Sequence, residues 1–382
     1  MSPRPPCVYQ PQCPGCPRFG SSELPAAELS SLRALSLKFN GPLVQEFPYE
    51  GLGHRYRSRL SVRGRVGHLQ VGIFEAGSHR LVSIPECPVH HPAINTLHRQ
   101  IVELGNAASV QPYDETRHTG QLRAVQFAVQ PASGQVQLSL LVCQSELSWA
   151  TLDRSVLAVA EQLGKATHSV HIGSLPHKTN SLFAESWLHV SGPEMMEDSV
   201  GGARVFYPPD AFGQANPILH AQVVRVIHGW VTHDAPVVEY YAGVGSIGLG
   251  LLRAGHQVVF NEISGGSLSG LRHALSEDLL DGVRVEEGAA GDFAQLYTSR
   301  STVIVDPPRK GLDPGLLQRL LGEPPRRLIY LSCGLPALLR EVEQLMNTGL
   351  YQIRHLSAWA YFPFTGHLET LLVLDRASAQ TD

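Results

Sequence analysis

The segment EYYAGVGSIGLG, residues 239–250, decides the fold of the second half of this 382-residue chain. It ends an apolar run and carries Gly243, Gly245 and Gly248 in the spacing G-x-G-x-x-G. Glycines let the backbone turn tightly and approach a ligand closely, and this spacing is typical of a strand that turns into a helix at a nucleotide-binding site. Taken alone, the turn is equally compatible with close packing of a helix on a strand.

Strands and helices alternate from this turn to the end of the chain. Strand-like segments are expected at 237–241, 257–262, 283–287, 301–308 and 326–333, with two final strands near 351–360 and 368–375. Helical segments separate most of them. This alternation predicts an α/β domain with a mostly parallel, doubly wound sheet of the Rossmann-like type, which binds ligands beyond the carboxyl ends of its strands.

The pattern differs before about residue 205. Short strand-like segments such as RSRLSVRG and QVQLSLLVC are mostly separated by Gly, Ser or Pro, and helical stretches are expected at 30–38 and 152–163. We therefore expect two domains. Residues 1–205 form an α+β domain with mostly antiparallel strands, and residues 206–382 form the α/β domain.

The composition excludes several classes of protein. Hydrophobic residues make up 43% and charged residues 17% of the chain, which excludes disordered and fibrous proteins. There is no run of about 18 apolar residues that could span a membrane, and the N-terminus lacks the apolar core of a secretory signal. We expect a cytoplasmic protein without a membrane partner. Because the net charge is −4, any nucleic-acid contact must come from a local patch.

Two acidic residues flank the glycine turn. Glu262 ends the next strand, about 20 residues on, where a carboxylate can accept hydrogen bonds from two ribose hydroxyls. The glycines and Glu262 suit either NAD or S-adenosylmethionine. Glu239, four residues before Gly243, resembles the acid in the first motif of enzymes that use S-adenosylmethionine, where it can hold a cationic donor.

Three polar residues stand where later strands begin or end. Asp306 follows an apolar strand in the rigid turn VDPPRKG (305–311). Cys333 ends the next strand before a helix N-terminus, whose partial positive charge favours a thiolate. Glu369 lies in an otherwise apolar final strand, where a desolvated carboxylate has a raised proton affinity and makes a useful general base. The alternative interpretations are an Asx-type turn, a buried small thiol and a solvated edge carboxylate.

Four of the six cysteines form a ligand-like set, which consists of Cys7, Cys13, Cys16 and, about seventy residues later, Cys87. In a chain without an export signal, clustered cysteines more often bind metal or do chemistry than form disulfides. Zinc and a 4Fe–4S cluster both accept four thiolates, and the spacing alone favours zinc.

The basic run HRYRSRLSVRGR (54–65) is the strongest candidate for an RNA contact. Arg55, Arg57 and Arg59 alternate, so on a strand they share one face, and three guanidinium groups on one face suit a phosphate backbone. Arg309, in the turn after a later strand, is a further candidate. A solvated strand face is the alternative interpretation of the run.

The order of these motifs resembles the RNA uracil-C5 methyltransferases over almost the whole chain. The matching elements are FGQANP (212–217), Asp306-Pro307-Pro308-Arg309, Ser332-Cys333 and Phe362-Pro363-x-Thr365-x-His367-x-Glu369. The resemblance implies that Cys333 attacks C6 of the target uracil, that C5 then takes the methyl group of S-adenosylmethionine, and that Glu369 removes the C5 proton. A nucleophile is needed because uracil C5 is a poor carbon nucleophile until one adds at C6.

The resemblance also implies a methyl-donor site and a cluster. The implied contacts to S-adenosylmethionine are Gln214, Tyr241, Gly243, Gly245, Ser246, Glu262 and Asp306. A subset of this family carries the same cysteine arrangement around a 4Fe–4S cluster, which favours that cluster over zinc, with the ligands Cys7, Cys13, Cys16 and Cys87. The cluster is expected to stabilise the β-rich half rather than to transfer electrons.

The expected substrate follows from two further features of the family. Some relatives carry an N-terminal oligonucleotide-binding barrel, which we expect to be absent here because only six residues precede Cys7. A cluster without a barrel resembles the bacterial enzymes that modify 23S ribosomal RNA. The expected partner is therefore a loop or hairpin of 23S rRNA, and no obligate protein partner is evident. A tRNA uracil-C5 methyltransferase is the alternative.

Three other classes remain as alternatives: a nicotinamide dehydrogenase, an amino-methyltransferase and a non-catalytic RNA-binding relative of the methyltransferases. The first two have no need of Cys333 and Glu369, and the third would be expected to have lost one of them or the glycine turn. The chain departs from its family after Cys333, where S-C-N-P is common. Here Gly334 removes a side-chain amide beside the thiol.

Overall fold

The computed structural model describes residues 7–21, 23–49, 51–144, 146–176, 183–278, 280 and 282–377. The strands in this part of the chain are β1 Gln45–Phe47, β2 Arg57–Arg65, β3 His68–Phe74, β4 Leu81–Ser83, β5 Leu122–Val129, β6 Val136–Cys143, β7 Ser169–Leu175, β8 Trp187–Ser191, β9 Met196–Val200, β10 Ala203–Tyr207, β11 Val237–Tyr240, β12 Val258–Glu262, β13 Val285–Glu287, β14 Thr302–Val305, β15 Arg327–Ser332, β16 Tyr351–Trp359 and β17 Glu369–Arg376. The α-helices are α1 Ala26–Lys38, α2 Pro92–Ala107, α3 Arg154–Gly164, α4 Pro217–Trp230, α5 Gly248–Arg253, α6 Gly265–Glu277, α7 Pro314–Gly322 and α8 Leu335–Asn347.

The chain divides into two compact units. The first contains Met1–Gly20, Gly51–Asp198 and Tyr207–Pro217, and the second contains Ser21–Glu50, Ser199–Phe206 and Ile218–Asp382. The boundary predicted near residue 205 therefore lies where the chain passes between the units, but residues 21–50 belong to the second unit. The reason is packing, because Leu29 and Leu32 of α1 are buried in the core of the second unit and β1 pairs with β16.

The second unit is built on an eight-stranded sheet in the order β1-β16-β17-β15-β14-β11-β12-β13. The five strands from β15 to β13 are parallel neighbours, and β17 runs antiparallel to both β15 and β16. The predicted α/β sheet is confirmed, and its two final strands make it a mixed sheet.

The central strands of this sheet are buried along their whole length. Every residue of Val237–Tyr240 and Thr302–Val305 is buried, as expected for parallel strands that are covered on both faces. Helix α8 contributes Leu338, Val342 and Leu345 to the core, at the spacing of one helix face. Solvent and ligands therefore reach these strands at their ends rather than at their faces.

The first unit contains a seven-stranded sheet in the order β4-β3-β2-β5-β6-β7-β8. Its neighbours are antiparallel except β6 and β7, which run parallel. Helix α2 has no counterpart among the predicted elements, although the His91 side chain caps it and Pro92 stands in its first turn, which are signals of a helix start. None of the helices in the described residues is long and apolar enough to cross a membrane.

Candidate active site

The carboxyl edge of the second unit's sheet brings Asp306, Cys333 and Glu369 together. Asp306 follows β14 and Cys333 follows β15, and these two strands are parallel neighbours. Strand β17 runs antiparallel to β15 with Thr370 opposite Ser332, so that its first residue, Glu369, lies at the same edge beside Cys333. The strand pairing thus joins three residues that are far apart in the sequence.

Glu369 is a buried carboxyl group without a hydrogen-bond partner among the described residues. Only 1% of its surface is exposed, and neither carboxyl oxygen receives a hydrogen bond from the described part of the chain. Burial raises its pKa well above the ordinary value, the charge of Asp306 raises it further, and the charge of Arg309 lowers it. Burial also raises the pKa of Asp306 to about 7. Two neighbouring carboxyl groups with raised pKa values are suited to accept protons near neutral pH.

The thiol of Cys333 is held in its protonated form in the free protein. Its pKa is raised to about 11, mainly by burial and also by the charges of Glu369 and Asp306, while the charge of Arg309 lowers it. The expectation that the helix N-terminus favours a thiolate is therefore wrong for this state. The physical reason is that burial and two carboxylates outweigh the partial charge of the α8 N-terminus and the charge of Arg309.

Gly334 explains how the chain tolerates its departure from the family motif. A side chain at this position would collide with the backbone carbonyl of Arg309, so the turn after β14 packs directly on the turn after β15. The N–H of Gly334 donates a hydrogen bond to the hydroxyl of Ser332 (3.1 Å). Close backbone packing beside Cys333 thus takes the place of the asparagine side-chain amide that is common in the family motif.

Glu341 holds the far end of the same loop and was not among the predicted residues. It is 2% exposed, and its carboxylate accepts hydrogen bonds from the N–H of Leu312 (3.2 Å) and the hydroxyl of Tyr330 (2.8 Å). A side chain at Gly311 would collide with this carboxylate. The buried carboxylate of Glu341, on α8, therefore fixes the loop that carries Asp306.

The glycine turn after β11 has the backbone conformation that its sequence predicts. Gly243 and Gly245 have φ values of 57° and 81°, which L side chains rarely adopt. Tyr241 adopts φ 58° although it is not glycine, and its hydroxyl accepts a hydrogen bond from the N–H of Asp313 (2.7 Å). The Tyr241 side chain thus ties the glycine turn to the start of α7.

Glu262 shapes the glycine turn in addition to standing beside it. Its carboxylate accepts hydrogen bonds from the N–H groups of Gly243 (2.7 Å), Ile263 (2.8 Å) and Ser264 (2.7 Å). An ionised carboxylate has about four acceptor positions, so one remains for a ligand hydroxyl. The predicted position is confirmed, whereas its contacts with three backbone groups were not anticipated.

Glu239 is a second buried carboxyl group at the glycine turn. It is 2% exposed, its Oε2 has no hydrogen-bond partner among the described residues, and the N–H of Gly248 donates a hydrogen bond to the carboxyl group. Burial raises its pKa to about 8, although the hydrogen bond from Gly248 lowers the pKa. A buried acid with one unsatisfied oxygen fits a positively charged ligand beside the turn.

We expect Glu239→Gln to stabilise the ligand-free protein at pH 8 more than at pH 5. The carboxyl pKa is about 8 in the folded state and about 4.3 in the unfolded chain, so the unfolded state loses its proton first as the pH rises. Wild-type stability therefore falls by about 1.4 kcal/mol per pH unit between these values, and the amide does not ionise. Urea unfolding at both pH values measures the difference. Glu161→Gln, at an exposed position on α3, is the control, and a pH-independent effect of Glu239→Gln would contradict the assignment.

Ser246 is connected to the carboxyl edge of the sheet through two buried residues, His220 and Tyr361, that the sequence did not single out. The Nε2 atom of His220, on α4, lies 3.0 Å from the Ser246 hydroxyl, and its Nδ1 atom lies 3.3 Å from the hydroxyl of Tyr361. Burial raises the pKa of Tyr361, and the charges of Glu369 and Asp306 raise it further. A lone histidine on an amphipathic helix gives no sequence signal that it will bridge two distant hydroxyl groups.

The arginines predicted to share one RNA-facing surface are in different surroundings in the first unit. The Arg57 guanidinium lies 4.1 Å from the centre of the Tyr207 ring, and burial lowers its pKa. Arg59 donates a hydrogen bond to Gln126 (3.0 Å) and is also partly buried. Arg55 precedes β2 and lies near the cysteines, where its charge lowers the pKa of Cys16. Arg57 and Arg59 both lie on β2 with one residue between them, and each guanidinium contacts a side chain of its own unit. Gln214, also in the first unit, is half-buried.

The four predicted ligand cysteines lie within electrostatic reach of one another. The pKa of Cys16 is raised to about 12, mainly by burial and also by the charges of Cys87, Cys13 and Cys7. Backbone N–H groups point at two of the sulfur atoms, from Gly15 to Cys13 and from Val89 and His90 to Cys87. No group of three or more His, Cys, Asp or Glu side chains in the described residues is arranged to hold a metal ion. Four thiolates are the donor set that zinc and a 4Fe–4S cluster both take.

Comparison with known proteins identifies the family. A family model described as tRNA (Uracil-5-)-methyltransferase matches residues 23–377. An uncharacterized RNA methyltransferase of Protochlamydia amoebophila is 33% identical over 334 residues, which cover 85% of this chain and 86% of that protein. Another, from Parasynechococcus marenigrum, is 27% identical and covers 98% and 83% of the two chains.

A solved structure shows the same fold. The Pyrococcus abyssi tRNA (uracil-54, C5)-methyltransferase, in complex with S-adenosyl-L-homocysteine, superposes with a TM-score of 0.74 at 22% identity, over 95% of this chain and 86% of that one. The family match spans nearly the whole chain and includes the edge that carries Asp306, Cys333 and Glu369. The chain therefore belongs to the tRNA (uracil-5-)-methyltransferase family of RNA-modifying enzymes.

Proposed function

We propose that this protein methylates C5 of a uridine in RNA, with S-adenosylmethionine as the methyl donor and a covalent bond between Cys333 and C6 of the uracil. The observation that carries the proposal is the meeting of a thiol, a buried carboxyl group (Glu369) and a half-buried one (Asp306) at the carboxyl edge of one sheet. Membership of the uracil-5-methyltransferase family supports the choice of base and of position.

Each of the three residues at the edge has a separate task in this reaction. Cys333 gives its proton to Asp306 and bonds to C6, which makes C5 a nucleophile that accepts the methyl group. Glu369 then takes the proton from C5, the C5–C6 double bond re-forms, and the thiolate leaves and recovers its proton. Because the pKa of Asp306 is about 7, it can both accept and return a proton at neutral pH.

The glycine turn and its two acids fit the methyl donor. S-adenosylmethionine supplies an electrophilic methyl group on a positively charged sulfur when it is bound. Glu239 offers an unpaired buried carboxyl group for that charge, and Glu262 keeps one acceptor position for a ribose hydroxyl. Tyr241, Ser246 and Gln214 are further proposed contacts, by resemblance to the family.

The first unit is proposed to carry the cluster and to bind RNA, and the second unit to carry out the reaction. We propose that Cys7, Cys13, Cys16 and Cys87 hold a 4Fe–4S cluster, with zinc as the alternative occupant. Support comes from the mutual electrostatic influence of the thiols and from the N–H groups directed at Cys13 and Cys87. Among the arginines, the exposed Arg309 is the best candidate to bind a phosphate beside the edge, whereas Arg55, Arg57 and Arg59 are only partly exposed.

The proposed target is a loop or hairpin of 23S ribosomal RNA, by resemblance to cluster-bearing bacterial relatives. Mass mapping of 5-methyluridine in cells with and without the protein is expected to show one lost methyl group in 23S rRNA. The wild-type gene should restore it and a Cys333→Ala gene should not. Loss of a methyl group from tRNA instead would identify tRNA as the substrate. An unchanged set of 5-methyluridines would contradict the proposed reaction.

A further inference from the structure

The buried residues His220 and Tyr361 have no task in the proposed reaction, yet they lie between its two halves. Tyr361 is 1% exposed and His220 is 3% exposed. The His220 ring has a polar partner at each nitrogen, at 3.0 Å on the side of Ser246 and 3.3 Å on the side of Tyr361. Placing three polar groups in a row inside a core is costly unless each one is satisfied by the next.

Because His220 is neutral, the hydrogen bonds at its two ring nitrogens must change direction together. Burial lowers its pKa to about 4, so at physiological pH the ring has one N–H donor and one acceptor nitrogen. If Tyr361 donates to Nδ1, then Nε2–H donates to Ser246, whose own hydroxyl proton is free to point at a ligand. If Tyr361 turns its proton to a carboxylate, Nδ1–H donates to Tyr361 and Ser246 donates to Nε2.

Tyr361 faces the acids whose protonation changes during the reaction. Trp359, two residues before it, pairs with Glu369 across β16 and β17. Burial raises the Tyr361 pKa and the charges of Glu369 and Asp306 raise it further, so the hydroxyl stays protonated. An ionised carboxylate attracts the Tyr361 proton more strongly than a protonated one does. The direction of the hydrogen bonds in the row therefore depends on the charge at the catalytic edge.

We propose that His220 is a positioning residue that couples the hydroxyl of Ser246, at the glycine turn, to the hydroxyl of Tyr361, beside Asp306 and Glu369. Through it, the uptake of the C5 proton at the edge changes the hydrogen bond that Ser246 offers to the occupant of the turn. Ser246 would then offer a different hydrogen bond to S-adenosyl-L-homocysteine than to S-adenosylmethionine. This inference rests on the proposed function, because it takes Ser246 as a contact of the donor.

The test is a double-mutant cycle of Ser246→Ala and Tyr361→Phe, with S-adenosyl-L-homocysteine affinity measured by calorimetry. The two side chains are joined only through His220 in the described structure. We expect the combined effect on affinity to differ from the product of the single effects by about threefold or more, as for residues in one hydrogen-bond network. The same cycle in a His220→Leu background should be additive.

His228→Leu is the matched control for His220→Leu. His228 lies on the same helix, and its Nε2 atom lies 2.8 Å from the carbonyl oxygen of Ile247, a backbone partner outside the row of Ser246, His220 and Tyr361. Its background should keep the coupling. Should His220→Leu fail to fold, His220→Asn, which retains a donor and an acceptor, replaces it and should keep part of the coupling. Additive effects in the wild-type background would overturn the inference, whereas a wild-type protein that binds no S-adenosyl-L-homocysteine would overturn the proposed function instead.

Discussion

Glu369→Gln is expected to accumulate a covalent protein–RNA adduct that carries the new methyl group. The variant keeps the thiol and the donor site, so Cys333 can still bond to C6 and C5 can still be methylated. It lacks the base that removes the C5 proton, and the thiolate cannot leave until that proton is gone. Turnover should fall by about 10²–10⁴-fold, the usual contribution of general-base help. Denaturing gel electrophoresis of variant, RNA and S-adenosylmethionine should show a slowly migrating band.

Cys333→Ala separates this explanation from a general loss of structure. It should abolish both methylation and the adduct, and the double variant with Glu369→Gln should show no band. Asp306→Asn should slow adduct formation itself, because the thiol, whose pKa is about 11, loses its proton acceptor. Turnover by Cys333→Ala would contradict the nucleophile assignment and would favour an amino-methyltransferase.

Cys87→Ser is expected to remove a visible chromophore and to destabilise the first unit. If the four cysteines hold a 4Fe–4S cluster, the purified protein should absorb broadly near about 400 nm, and loss of one thiolate ligand should bleach it. Cys87 is buried, so the loss also leaves a polar hydroxyl in a packed region. Absorbance, iron and sulfide content, and thermal unfolding of the same samples measure both effects.

Cys143→Ser is the matched control for the cluster. Cys143 is equally buried and lies in the same unit at the end of β6, but its sulfur lies 3.9 Å from the guanidinium of Arg123 and is not one of the four proposed ligands. This variant should keep the absorbance. A colourless wild-type protein with one equivalent of zinc would leave the ligand set intact and contradict the iron assignment, and a wild-type protein with neither metal would contradict both.

The sequence by itself determined the architecture of the second unit and the residues at its carboxyl edge. Most predicted strand bounds in that half agree with the structure to within one or two residues, from Val237–Tyr240 to Glu369–Arg376. The physical reason is that helix and strand periods, glycine turns and proline-fixed loops are local properties, and each can be read within a short window. The parallel topology follows from the alternation of these elements.

Only the tertiary structure decided what surrounds the predicted residues. It placed α1 in the second unit, joined Glu262 to three backbone N–H groups, packed Arg57 against the ring of Tyr207, and raised the pKa of Cys333 where the helix N-terminus alone predicted a thiolate. It also brought His220 between Ser246 and Tyr361. Contacts of this kind join residues that are far apart in the chain, and burial depends on everything packed around a group. Neither distant contacts nor burial can be read from a pattern of neighbouring residues. The charge, protonation state and hydrogen bonds of the groups at this edge are therefore set only by the assembled sheet.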